Sequence, residues 1–151
     1  MTKDIEYKQR LILHCIQLQE ASLSNVRQTM DDAMQEAVNY GPPKDRYDGF
    51  RNQQLRRRDL YAKQLEQIAV NLRLLNNIDF KKKYNEAGFG ALVITDQMPF
   101  LIAVGLGLVQ FEGEDVAVIS MIVPVYHAMK EKKAGESFTF NNKKYTVQQI
   151  I

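Results

Sequence analysis

Ile12, Ile16, Gln19, Leu23, Val26, Met30, Ala33, Ala37 and Tyr40 follow one another at alternating steps of four and three, and eight of the nine are apolar or aromatic. That spacing is a heptad seam on a helix. No Gly or Pro falls between about Glu6 and Tyr40, and Gly41-Pro42-Pro43 then stops the helix, because proline lacks an amide donor and restricts the residue before it. A second run without Gly or Pro, Phe50 to Asn77, carries Tyr61, Leu65, Ile68, Leu72 and Leu75 on the same step. Two long helices joined by a short break predict an antiparallel hairpin. At about 1.5 Å per residue, some 30 residues would reach about 45 Å. Stepping back from Tyr61, the register meets Arg58, Gln54 and Arg51 before Tyr47, so the distal end is expected to be held less by burial.

The pattern changes between Asn76 and Gly90, where Lys81-Lys82-Lys83 and two glycines mark a linker. Beyond it come β-like runs at residues 91–95, 100–104, 116–119, 137–140 and 145–147, separated by turn residues such as Asn141-Asn142. Between the third and fourth runs, Pro124 to Lys133 reads as a helix with proline at its first position and Gly135 past its end. The expected organisation is α+β: a coiled-coil hairpin over residues 1–78, a linker at 79–90, and a small antiparallel β-sheet domain with one helix at 91–151. About 60 residues make a poor solitary core, so docking of the sheet against the hairpin base is expected.

The composition, 45% hydrophobic and 25% charged over 151 residues, excludes collagen-like, disulfide-scaffold and strongly disordered classes. A net charge of +2 is too near balance to announce a nucleic-acid binder. The first ten residues lack an apolar h-region, and the longest apolar stretch, Phe100 to Val109, is too short to span a membrane. The lone Cys15 permits no internal disulfide and fits a reducing compartment. A cytoplasmic protein without membrane contact is expected.

The hairpin tip is the most unusual local chemistry. Lys44, Arg46, Arg51, Arg56, Arg57 and Arg58 set six cations against Asp45 and Asp48, a local charge of +4. Such a stretch suits phosphates, although a solvated helix face is the commoner meaning of a charge run. Asp45 and Asp48, three apart, would share one side of a helical turn and suit a Mg²⁺ completed by water or a partner's oxygens; N-terminal capping is the simpler use. Gly88-Phe-Gly90 and Gly105-Leu-Gly107 lack the third glycine and the Lys-Ser/Thr pair of phosphate loops. His14 and His127 have no second ligand at metal spacing, and Ser120 is not in G-x-S-x-G. No autonomous active site is evident.

Ile119-Ser120, Pro124, Ala128-Met129, Lys132-Lys133-Ala134-Gly135-Glu136 and Tyr145-Thr-Val-Gln-Gln-Ile150 together resemble the C-terminal pattern of the bacterial Gre-type transcript-cleavage and elongation factors. Val123 stands where that pattern has a second serine and Glu131 where it has a glycine, while Ile78-Asp79 and Phe89-Gly90 resemble its junction. The resemblance implies a coiled-coil hairpin that enters the secondary channel of RNA polymerase and an FKBP-like C-terminal domain that docks at the mouth, with Ser120 and Pro124 in the docking domain. Lys44, Arg46, Arg51 and Arg56 to Arg58 would then lie near nascent RNA or channel walls. Asp45 and Asp48 would be the tip acids that assist catalysis and hold a Mg²⁺ shared with the polymerase; the factor would bring no cofactor of its own and act as a monomer. The family's tip aligns with residues 41–49, which leaves Pro42 at the first acid's place, and proline has no side-chain ligand. Stimulation of RNA cleavage and non-cleaving occlusion of the channel are therefore both open. Two readings come from other classes: a peptidyl-prolyl isomerase built around Phe100, Phe111, Phe138 and Tyr145, which look more like core, and a coiled-coil adaptor that dimerises through its hairpin.

Overall fold

The computed structural model describes residues 3–39 and 49–151. Two helices come first, α1 (Ile5–Asn39) and α2 (Gly49–Asn76), followed by β1 (Leu92–Thr95), β2 (Pro99–Ile102), β3 (Gly107–Phe111), β4 (Glu114–Ile119), α3 (Pro124–Met129), β5 (Ser137–Phe140) and β6 (Lys143–Ile150). The chain divides into two compact units, one made of residues 16–73 and the other of residues 1–15 together with 74–151.

In the first unit the heptad positions do what their spacing demands. Ile16, Gln19 and Ala33 are buried and Leu23, Val26 and Met30 half-buried on α1, while Tyr61, Leu65, Ile68 and Leu72 are half-buried on α2. The direction of pairing is fixed by polar contacts. Asn71 Nδ2 donates to Gln19 Oε1 at 2.9 Å, and Arg58 Nη1 reaches Met34 Sδ at 3.7 Å, so later positions on α1 meet earlier ones on α2. The helices are antiparallel. Gln19 sits in an apolar seam without penalty because Asn71 satisfies it; a buried amide left alone would cost about 1–3 kcal/mol.

In the other unit the six strands form one sheet in the order β3-β4-β2-β1-β6-β5. The sheet is mixed and not, as expected, wholly antiparallel: β2 and β4 run parallel through Phe100↔Ala117, Leu101↔Val118 and Ile102↔Ile119. The cause is β3, a strand absent from the expected set. The chain leaves β2, forms β3 at the sheet edge, and returns through the Glu112-Gly113 turn so that β4 fills the place beside β2. Both turn residues have positive φ, 49° and 83°, as do Asn141 and Asn142 between β5 and β6, 51° and 63°. Two successive left-handed residues make the tight hairpin turn whose twist matches paired strands.

The central strands β1, β2 and β4 are buried on both faces. Val93, Phe100, Ile102, Ala117, Ile119 and Val147 pack with Tyr126 and Met129 of α3 and with Phe138. Leu92, Leu101, Val116 and Val118 are also fully buried, and Tyr7, Leu11, Ile12, Cys15 and Leu75 from the ends of the two long helices, with Ile78 just past α2, are buried in the same unit. Tyr7 anchors that layer, its hydroxyl donating to Glu114 Oε1 at 2.9 Å and its ring meeting Phe111 edge-on at 5.4 Å. Arg10 pairs with Glu112 at 2.8 Å. The helix α3 ends at Met129, short of the expected Lys133: Lys130 turns to an extended ψ of 132° and Glu131 takes a φ of 64°.

Candidate functional site

Of the distal hairpin residues, Lys44, Asp45, Arg46 and Asp48, with Pro42, lie outside the described residues, and Arg51 belongs to the first turn of α2. The seam continues toward the tip in polar form. Gln54 is buried and accepts from Arg57 Nη1 at a long 3.5 Å, and Arg58 is half-buried with its guanidinium on Asp59 at 2.8 Å. Arg56 and Arg57 are exposed, and among the described residues neither is ion-paired with a carboxylate. They place two adjacent positive charges on the solvent side of α2.

The second group surrounds the start of α3. Ser120 is half-buried at the end of β4, and Pro124 is exposed at the first helical position. Val123 precedes it with extended backbone, φ −81° and ψ 150°, as a residue before proline must, and it supplies no side-chain cap to the helix. Between them Met121 is 43% and Ile122 85% exposed. Two adjacent large apolar side chains standing in water beside Ser120 were not singled out by periodicity, because they occupy a turn; only their side-chain type could have marked them.

The third group lies where α2 gives way to the sheet unit. Lys8 of α1 is fully buried, its Nζ donating to the Ile151 carbonyl at 3.0 Å and standing 4.4 Å from the centre of the Tyr84 ring, with Lys82 Nζ 5.1 Å from that same ring. Burial pushes the Lys8 ammonium down to about 8, opposed by the Asp79 carboxylate and aided by Lys82. A base whose folded pKa lies below its ordinary 10.5 binds fewer protons folded than unfolded over that interval. Its contribution to stability is therefore present above the unfolded value and lost as pH falls through about 8. Burial pushes the Cys15 thiol up to about 12, which works in the opposite direction above its ordinary 9.0 and makes it a poor nucleophile. Comparison with Lys8→Met isolates the lysine, because Cys15 is common to both chains and the Ile151 carbonyl keeps its bond from the Leu92 amide. Between about pH 7 and pH 9.5 the melting temperature of the parent is expected to rise by a few degrees relative to the variant, read by circular dichroism.

Three of the four aromatics considered for an isomerase pocket pack on one another. Phe138 stacks on Tyr145 at 5.0 Å, and Phe100 meets both edge-on at 6.4 and 5.6 Å. Phe111 instead joins Tyr7 and His14. They serve as core. Among the described residues no group of three His, Cys, Asp or Glu side chains is arranged to hold a metal, and no helix is long and apolar enough to cross a membrane.

No protein-family model and no curated protein matches the chain. Among solved structures it is similar to the GreA factor homolog 1 (Gfh1) protein of Thermus thermophilus, at 12% identity and a TM-score of 0.35, over 90% of this chain and 94% of that one.

Proposed function

We propose that the protein is a Gre-type factor that binds RNA polymerase, seating its helical hairpin in the secondary channel and its sheet domain at the channel mouth. The observation that carries this reading is the agreement between the C-terminal motif and the backbone it adopts. Pro124 opens a helix after an extended Val123, and Tyr145 to Ile150 lie on one strand. Glu131, standing where the motif has glycine, has the left-handed φ of 64° that glycine takes at least cost, and the motif's Gly135 has a φ of 91°. The antiparallel hairpin with an increasingly polar distal seam supports the same reading, as do the exposed Met121 and Ile122 beside Ser120, which suit a docking surface.

Asp45 and Asp48 would then supply ligands to a Mg²⁺ of the polymerase, and Arg56, Arg57 and Arg58 would lie along RNA or channel walls. Pro42 in the first acid's place favours a second version, in which the hairpin occupies the channel and lowers transcription without promoting cleavage. Both are tested in a purified, backtracked elongation complex at fixed Mg²⁺, scoring binding and RNA cleavage together. Binding is expected for the parent and for the Asp45→Ala/Asp48→Ala double variant alike. A cleavage rate above the polymerase's own that disappears in the double variant identifies a cleavage factor. Binding with no added cleavage identifies a channel regulator, and absence of binding overturns both.

A further inference from the structure

Residues 77–89, between the end of α2 and β1, wall a cleft of about 750 Å³, within the range of small-molecule sites. Lys82, Lys83 and Lys133 line it, all exposed, and among the described residues none is paired with a carboxylate. Two acids also line the cleft. The Asp79 carboxylate accepts from the Lys81 amide at 2.9 Å, and with Glu86 it sets two carboxylates against three ammonium groups, a lining that is positive on balance. Lys82 and Lys8 crowd the Tyr84 ring and repel each other, a second sign of unbalanced positive charge at this place. The half-buried Phe89 provides an aromatic wall, and Asn77 and Asn85 provide amides able both to donate and to accept.

Ammonium groups not paired with a carboxylate call for an anion, an aromatic wall calls for a flat ring, and side-chain amides suit a heteroaromatic edge. We propose that this cleft binds a nucleotide, its phosphates against Lys82, Lys83 and Lys133 and its base against Phe89. The site shares no residue with the hairpin tip and is tested on the free chain, so its failure and that of polymerase binding are distinguishable.

Isothermal titration calorimetry of the full chain with ATP, and separately with inorganic tripolyphosphate, supplies the test. One ATP per chain is expected, weakened about tenfold or more by Lys82→Ala/Lys83→Ala and left unchanged by Lys143→Ala/Lys144→Ala, which removes two exposed lysines outside the cleft. Phe89→Ala is expected to weaken ATP and leave tripolyphosphate unaffected. Circular dichroism melting identifies variants that fail to fold, and Lys133→Ala provides an independent probe of the same wall. No heat or saturation up to about 1 mM ATP overturns the proposal, as does equal weakening by the Lys143/Lys144 control or tripolyphosphate binding as tightly as ATP. A short single-stranded RNA that displaces ATP and binds more than tenfold tighter overturns it in favour of a strand-binding groove.

Discussion

Leu101→Ala is expected to destabilise the sheet unit by about 2–5 kcal/mol, read as a lower denaturation midpoint in urea followed by tyrosine signal. Leu101 is fully buried on β2, hydrogen-bonded between β1 and β4 and aligned with Leu92 on one side and Val118 on the other. Its neighbours across the strands are equally buried, and the backbone around them is fixed by both ladders, so the surroundings have little freedom to collapse into the space left by three lost carbons. Leu108→Ala provides the contrast. It removes the same atoms from edge strand β3, where the side chain is 66% exposed, and its effect is expected to stay within about 0.5 kcal/mol.

Gly90→Ala is expected to cost about 1–3 kcal/mol for two separable reasons. Gly90 has a φ of 91°, a conformation that a side chain strains, and an added Cβ would stand 2.3 Å from the Tyr84 hydroxyl oxygen and 3.4 Å from Ile78 Cγ2. The backbone is not free to turn away, because the Gly90 amide donates to the Ile102 carbonyl at 2.7 Å. Nor is Tyr84 free to swing, with the ammonium groups of Lys8 and Lys82 over its ring. A double-mutant cycle separates the causes: in a Tyr84→Ala background the steric part should vanish and the backbone part remain, giving a coupling of about 0.5–3 kcal/mol. Additivity would mean that Tyr84 yields without resistance.

The hairpin was legible because burial of a helix face imposes a period, and Ile12 to Ala33 and Tyr61 to Leu75 keep to it. What periodicity does not carry is a partner across space: Gln19 interrupts the seam in sequence, and only the fold brings Asn71 to it. Strand β5 falls on the expected residues 137–140, since Asn141-Asn142 bounds it. Strand β3 is not marked in the sequence because edge strands need no continuous apolar run: Gly107, Leu108 and Gln110 are exposed, and Gly105 and Gly107 together signal a turn. The parallel pairing of β2 and β4 followed it out of sight, for without β3 there is no reason for the chain to skip a place. At the candidate site, charges in one sequence run were visible as a run, whereas Lys8, Lys82, Lys133 and Phe89 gather only through folding. Asp45 and Asp48 rest on the sequence alone.

The sheet unit is discontinuous along the chain, and this has a consequence for the order in which the protein is made. Tyr7 bonds Glu114 across 107 positions and Lys8 bonds Ile151 across 143. During vectorial synthesis the apolar face of the first helical turns must therefore wait, uncovered, while the hairpin and then every strand leaves the ribosome. Strand β6, which emerges after every other strand of the sheet, is not an ornament at the rim but sits between β1 and β5. The hairpin, built from local contacts, can form early and fast, whereas the sheet unit closes only when residues that precede the hairpin meet those that follow it.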